Sequence, residues 1–180
     1  NMRNALAAIC ACSALGIGAE TIQKGLSAFV SDQQNNPGRF NEFSYNGARV
    51  IVDFAHNAHS VAAVCDATAQ IPAKRRFLML SQPGDHSDHA IGEVTTNALE
   101  FRPDLIVTAE IADHLRGRLL GETTGVIRAS AVAAGFSGDN IMAASSPSVG
   151  TKIILDKLEP DDLALLLVLS DRDAVFQSLA

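Results

Sequence analysis

Tryptophan is absent from the 180 residues and tyrosine occurs once. With eight phenylalanines, that is too little aromatic surface for the stacking platforms of a single-strand nucleic-acid binder. Positive charge is also scarce. Fourteen Lys plus Arg face 20 Asp plus Glu, a formal charge of −6, so no overall field favours a phosphate backbone, although a local basic site stays open. Cysteine is sparse and odd in number: Cys10 and Cys12 are too close to make a useful staple, and with Cys65 they point to a reducing, cytoplasmic setting. Long apolar runs are missing too, since residues 5–19 and 163–169 are both too short to span a bilayer. Finally, no G-x-x-x-x-G-K-[ST], G-x-G-x-x-G or G-x-S-x-G occurs, which excludes a self-sufficient phosphate loop and an acyl-transfer elbow.

The chain does contain 47% apolar residues, enough to build a core and to set disorder aside. The length fits one domain with about 30 residues to spare. The first residue is Asn, and the chain is read as a piece of a longer protein. Residues 5–19, ALAAICACSALGIGA, look superficially like a signal peptide after Arg3. The spacing of Leu6, Ile9, Ala14 and Ile17, a stop at Gly16 and Gly18, and a second helical stretch over 20–29 favour a buried helix pair instead.

The polar connector SDQQNNPG at 31–38 marks a boundary, placed after residue 34. Beyond it, RFNEFSYNGARVIVDFA predicts two strands around an Asn46-Gly47 turn. Helices near 60–71, 88–101, 117–134 and 147–157 then alternate with strands at 77–81, 105–109, 140–144 and 163–170, before a last helix from Arg172. Continuous apolar strands alternating with helices imply a parallel sheet buried on both faces. The expected fold is therefore α/β, three-layered and Rossmann-like: a mostly parallel sheet with an N-terminal antiparallel hairpin, preceded by a short helical segment. Ligands of such sheets sit beyond the carboxyl ends of the strands. Those ends read DFAHNAHS, SQPGDHSDH, TAEIADHLRGR, AASS and SDRD, and four of the five carry charged or imidazole groups.

Three constellations stand out on this rim. Asp53, His56, Asn57 and His59 include an Asp placed to accept from a ribose and an Asn able to read an amide or purine edge; Asp53 and Asn57 serve equally well as helix caps. Gly84, Asp85, His86, Ser87, Asp88 and His89 contain ordinary caps as well as HSDH, part of the H-x-H-x-D-H metal signature. Gly84 stands where that signature needs its first histidine, so no metal site is assigned. Asp113, His114, Arg116, Gly117, Arg118, Gly121 and Glu122 offer either an anion clamp of two guanidinium forks or a solvated helix with an Arg118–Glu122 pair.

NPGRF at 36–40 followed by VDFAHN at 52–57 resembles the P-G-R and D-[YF]-A-H-N-P pair of the Mur ligase superfamily's C-terminal region. PGDHSDHAI at 83–91 and LRGRLLGE at 115–122 are similar to the G-D-R-R-D-E-D and R-G-R-x-x-G-E segments of its cyanophycin synthetase branch. The stretch from Asn1 to Ala8 looks like the N-x-x-N-A-x-A-A helix that ends the preceding ATP-binding domain. The resemblance implies a domain over 35–180 that closes on nucleotide and binds substrate, in an ATP-dependent ligase joining a carboxylate to an amine through an acyl phosphate. By the same resemblance Arg39 and Asp53 meet the ribose, and His56 and Asn57 lie at the nucleotide edge. Gly84, Asp85, Asp88, Arg116 and Arg118 line the substrate path, with His56 and Asp85 as catalytic candidates. ATP and Mg2+ are implied, held mainly by the domain before this one, and the branch adds Arg to an aspartate side-chain carboxylate of a growing polymer. The implied partners are an amino acid and a carboxylate-bearing peptide or polymer, with neither nucleic acid nor membrane; a homo-oligomer is left open.

The chain departs from the pattern in three places: Ala58 replaces a Pro, His86 and Ser87 replace arginines, and SDRD at 170–173 replaces a more acidic ending. These departures keep two alternatives in view, a Mur-fold binding or assembly module without activity and a metal-dependent hydrolase.

Overall fold

The computed structural model describes residues 2–180; Asn1, where the N-x-x-N-A pattern begins, lies outside the described residues. The chain divides into two compact units, one ending at Ser31 and one running from Asp32 to Ala180.

The first unit holds α1 (Met2–Ala14) and α2 (Ala19–Ser27). Gly16, at φ 78°, ends α1 by allowing Ile17 N–H to turn back onto the Cys12 carbonyl. The expectation of a buried pair fails here. Leu6 is 57% exposed, and α2 buries none of its residues. Helices of 13 and nine residues bring too little apolar surface to enclose a core between them.

The second unit is a six-stranded sheet in the order β1-β2-β6-β3-β4-β5 with helices on both faces. Its strands are β1 (Asn41–Tyr45), β2 (Ala48–Asp53), β3 (Arg76–Leu80), β4 (Leu105–Ala109), β5 (Ile141–Ala144) and β6 (Leu163–Leu167). Its helices are α3 (Ala58–Ala69), α4 (Asp88–Ala98), α5 (Glu122–Ala133), α6 (Pro147–Leu155) and α7 (Arg172–Leu179). Only β1 is antiparallel, pairing with β2 so that Asn41 faces Val52. The turn between them needs positive φ at two successive positions, and Asn46 (49°) and Gly47 (81°) supply it.

Strand residues alternate between two cores. Ile51, Leu78, Ile106 and Leu165 face α3, α4 and α5, whereas Val52, Met79, Val107 and Leu166 face α6 and α7. β6 is buried along all five residues. Burying a side chain of this size contributes about 1.5–3 kcal/mol, so the doubly covered central strands dominate the stability of the unit. Among the described residues no helix is long and apolar enough to cross a membrane.

The expected helix over 117–134 begins only at Glu122. Arg116, Gly117 and Gly121 all have positive φ (49°, 98° and 88°), so the preceding residues form a loop and no Arg118–Glu122 helical pair exists. Glu122 accepts from Leu119 N–H instead, at 3.1 Å.

Candidate functional site

Parallel pairing places the carboxyl ends of β2, β6, β3, β4 and β5 at one edge. Because β1 runs the other way, the residues entering it reach that same edge. This is how NPGRF and VDFAHN, a dozen residues apart, come together.

Asp53 joins them. Its Oδ2 accepts from Phe40 N–H and its Oδ1 from Ala55 N–H, both at 2.8 Å. Phe40 is held at φ 55°, in the left-handed region that a bulky residue enters only under constraint. Asn41 fixes the other side of the loop: its buried side chain accepts from Gly38 N–H at 2.6 Å and donates to the Asn36 carbonyl at 3.1 Å. Arg39 is thereby left with its guanidinium 5.2 Å from the centre of the Phe54 ring, a cation–π contact. Burial pushes the Asp53 carboxyl above its ordinary range; the Ala55 and Phe40 N–H groups and the Arg39 charge oppose the shift without cancelling it. Beside this loop a cleft of about 380 Å³ opens at the end of β6, lined by Phe54, Val168, Ser170, Asp171 and Arg172 among others.

His56 is half-buried, packed edge-on to Phe54, and its Nδ1 lies 3.2 Å from the Phe54 carbonyl. Asn57 caps α3 reciprocally: Ser60 N–H donates to its Oδ1 at 2.9 Å and its own N–H donates to Ser60 Oγ at 3.3 Å. His59, within α3, is exposed. Of the first constellation, then, Asp53 and His56 face the edge while the Asn57 carbonyl oxygen is spent on the helix.

The loops after β3 and β4 form one body. A Cβ on Gly84 would fall on the Leu115 carbonyl, so only glycine fits, and Gly84 N–H donates to the His114 carbonyl at 2.8 Å. Arg118 completes the union. Its Nε donates to the Gly84 carbonyl (2.9 Å), its Nη2 to the His86 carbonyl (2.6 Å), and its Nη1 pairs with Asp88 at 2.7 Å. The guanidinium expected to clamp a ligand thus holds the loop beneath it. Arg116 pairs with Asp85 at 3.2 Å, with both side chains about half exposed. Such a pair is worth about 0–1 kcal/mol and separates readily. Asp113 is exposed and His114 half-buried at the base of this loop.

The structure adds three residues that the sequence reading passed over. Asn41 is one. Glu110, 6% exposed, follows β4 and accepts from Gly121 N–H at 2.6 Å and from Thr123 Oγ1 at 2.9 Å, anchoring the far end of the Arg116–Arg118 loop. Gln82, 1% exposed, follows β3 by two residues, and its Oε1 lies 2.8 Å from His86 Nδ1. The Gln82 Nε2 is buried without a partner, a condition that costs about 1–3 kcal/mol. Gln82 and Glu110 lie just past the carboxyl ends of β3 and β4, where a polar residue after an apolar strand was the available signal, whereas Asn41 opens β1 and carried none.

No group of three or more His, Cys, Asp or Glu residues able to hold a metal ion occurs among the described residues. His86 lies against His56, ring centres 6.5 Å apart, while His89 points to Glu93 at 3.7 Å, so HSDH does not converge on a common point.

Residues 38–167 match the family described as Mur ligase, glutamate ligase domain. The chain is 34% identical over 124 residues to a cyanophycin synthetase of Synechocystis sp., an alignment covering 69% of this chain and 14% of that protein. It is 38% identical over 89 residues to a UDP-N-acetylmuramoyl-L-alanyl-D-glutamate–L-lysine ligase of Streptococcus suis, covering 49% and 18%. A MurF ligase from Thermotoga maritima, crystallised in complex with ADP, superposes with a TM-score of 0.58 at 16% identity, covering 95% of this chain and 35% of that one. The chain therefore spans less than a fifth of the length of these two curated relatives.

Proposed function

Since this chain belongs to the Mur ligase family through its glutamate ligase domain, we propose that it is the nucleotide-closing and substrate-binding portion of an ATP-dependent carboxylate–amine ligase. The reaction is the joining of an amino acid to a carboxylate through an acyl phosphate, as in a cyanophycin synthetase-like enzyme. Residues 1–34 would be the helical tail of the preceding ATP-binding domain and 35–180 the C-terminal domain. The exposed Leu6 and Leu15 support that division, because they need an apolar partner that the helices themselves do not provide. Three free thiols suit the cytoplasm.

The observation that carries this reading is Asp53. Each of its oxygens accepts one backbone N–H, yet a carboxylate has about four acceptor sites, so capacity remains for ribose hydroxyls. The same two bonds fix the loop bearing Arg39, whose charge suits the nucleotide. His56 would face the nucleotide edge with Asn57 behind it. On the substrate side, the exposed Asp85–Arg116 pair can open around a zwitterionic amino acid, its ammonium turning to Asp85 and its carboxylate to Arg116. Gly84, Asp88 and Arg118 would hold that loop in place, and His56 and Asp85 remain the groups nearest to chemistry. Such a lid contributes positioning and exclusion of water, which an acyl phosphate needs to escape hydrolysis.

Magnesium, implied for the ligation, does not fit this chain's donor set. Asp53 is engaged by backbone N–H groups, and Asp85 and Asp88 by arginines. No step proposed here runs through it.

In the full-length protein, Asp53→Ala is expected to raise the ATP concentration for half-maximal ligation about tenfold, the loss of roughly one charge-assisted hydrogen bond. Unchanged ATP dependence in a folded variant overturns the ribose role. The arginine pairing on both loops also suits a binding module without activity, which a full-length protein making no ATP-dependent amide would establish.

A further inference from the structure

We propose that Gln82 and His86 form a proton-accepting pair that readies the amino substrate for attack, a role that rests on the ligase reading above. Gln82 Oε1 lies 2.8 Å from His86 Nδ1. A carboxamide oxygen only accepts, so this contact requires the proton on Nδ1 and leaves a lone pair on Nε2. His86 Nε2 has no protein partner among the described residues. Its ring stacks on that of His56, centres 6.5 Å apart at 28°, so it sits beside the loop after β2.

Gln82 itself argues for the pairing. It is 1% exposed and buries its Nε2 without a partner. A leucine or methionine would fill the position without stranding a donor, so packing does not account for a glutamine here. Its contact with His86 does. The backbone below is rigid, because His86 O is fixed by Arg118 and Gly84 N–H by the His114 carbonyl. The charged groups next to His86 in the chain, Asp85 and Asp88, are paired with Arg116 and Arg118 from the loop after β4, and the ring against its imidazole is His56 from the loop after β2.

An amino acid arrives as an ammonium ion, which has no electron pair for attack. Transfer of one proton to His86 Nε2 breaks an ammonium N–H bond and makes an imidazole N–H bond, freeing that pair. The amine then forms the C–N bond at the acyl carbon as the C–O bond to phosphate breaks, and the second proton lost from nitrogen leaves on the phosphate. Throughout, Nδ1–H stays on the Gln82 oxygen, and the bond becomes charge-assisted once the ring is an imidazolium.

Two measurements test the pair. Long-range 1H–15N NMR of the 180-residue chain should show neutral His86 protonated on Nδ1, with Gln82→Leu moving the proton toward Nε2. Protonation on Nε2 in the unsubstituted chain overturns the pairing. In the full-length protein, His86→Gln should slow amide formation on the order of 10²-fold at pH 7. That deficit should shrink by about tenfold per pH unit at higher pH, as solution supplies free amine. Gln82→Leu should give a smaller deficit with the same recovery. A deficit that is equal at every pH, in a protein that does ligate, overturns this role alone. Absence of ATP-dependent amide formation in the wild type overturns the ligase reading and this role together.

Discussion

Two aspartates, one buried and one half-buried, sit at opposite edges of the same sheet and meet opposite fates. Asp162, just before β6 at the amino-terminal edge, has its side chain 1% exposed and is gripped by Arg75 through Nε at 3.2 Å and Nη2 at 2.6 Å. Glu159 N–H adds a bond at 2.8 Å. Burial alone would raise the Asp162 carboxyl, but Arg75 and the Glu159 N–H outweigh it and hold the group below its ordinary range. Asp53, at the carboxyl-terminal edge, receives backbone N–H groups and a distant arginine but no guanidinium fork, and burial wins. One edge completes the solvation of its carboxylate from within the fold. The other leaves it short, as it leaves Gln82 Nε2 buried without a partner.

The comparison breaks most visibly at Arg75. Arg75→Met removes the fork and leaves Asp162 buried and unpaired. Such losses run to about 3–5 kcal/mol for enclosed pairs, and because Arg75 is 39% exposed the expected destabilisation is smaller, about 2–3 kcal/mol. Urea denaturation measures it. Nucleotide dependence of the full-length protein should be unchanged, and a shift there would mean that the two edges are coupled.

Glu110→Gln tests whether the carboxyl-terminal edge also contains finished structure. The carboxylate accepts from Gly121 N–H and Thr123 Oγ1, and a carboxamide can satisfy only one of these with its oxygen while its NH2 group confronts the other. A loss of about 1–2 kcal/mol is expected. Faster amide hydrogen exchange should accompany it at Gly121 and across the Arg116–Arg118 loop. Unchanged exchange would show that the loop is held by Gly84 and Arg118 alone.

Much of this was legible in the sequence. The strand at 105–109 and the Asn-Gly hairpin follow directly from local pattern, because a buried parallel strand is continuously apolar and a tight hairpin turn demands positive φ. The strand ends quoted from the sequence do fall at one edge of the sheet. What escaped was the use made of particular atoms. Arg118 reads in sequence as an anion clamp or as a helical partner of Glu122, and in space it staples two segments, because its three partners, Gly84, His86 and Asp88, lie 30 or more residues away. The late start of α5 depends on left-handed backbone at Arg116, which no propensity specifies. Buried Asn41, Gln82 and Glu110 carry no motif, and their importance arises from which backbone groups the sheet brings within reach.

The smallest effect, and the most direct reading of the contrast, is the acid limb of stability. A carboxyl held below its unfolded value stabilises the fold at pH above that value and loses the contribution as pH falls through its folded value, so Asp162 should weaken the protein below about pH 4. Asp53 runs the other way. Its folded value is raised, so its contribution is full below the unfolded value and is lost as pH rises through the folded one. Urea midpoints measured from pH 3 to 6 should therefore respond in opposite directions to two isosteric changes. Asp162→Asn should flatten the fall on acidification, at the cost of lower stability near neutrality, whereas Asp53→Asn should remove a decline that the wild type shows as pH rises past the ordinary carboxylate range. If both substitutions flatten the same limb, Asp53 is as fully satisfied as Asp162 and has no spare capacity for a nucleotide. If they act oppositely, the shortage at the carboxyl-terminal edge is a property of the folded domain, and bound nucleotide should lower the Asp53 value by supplying the missing donors.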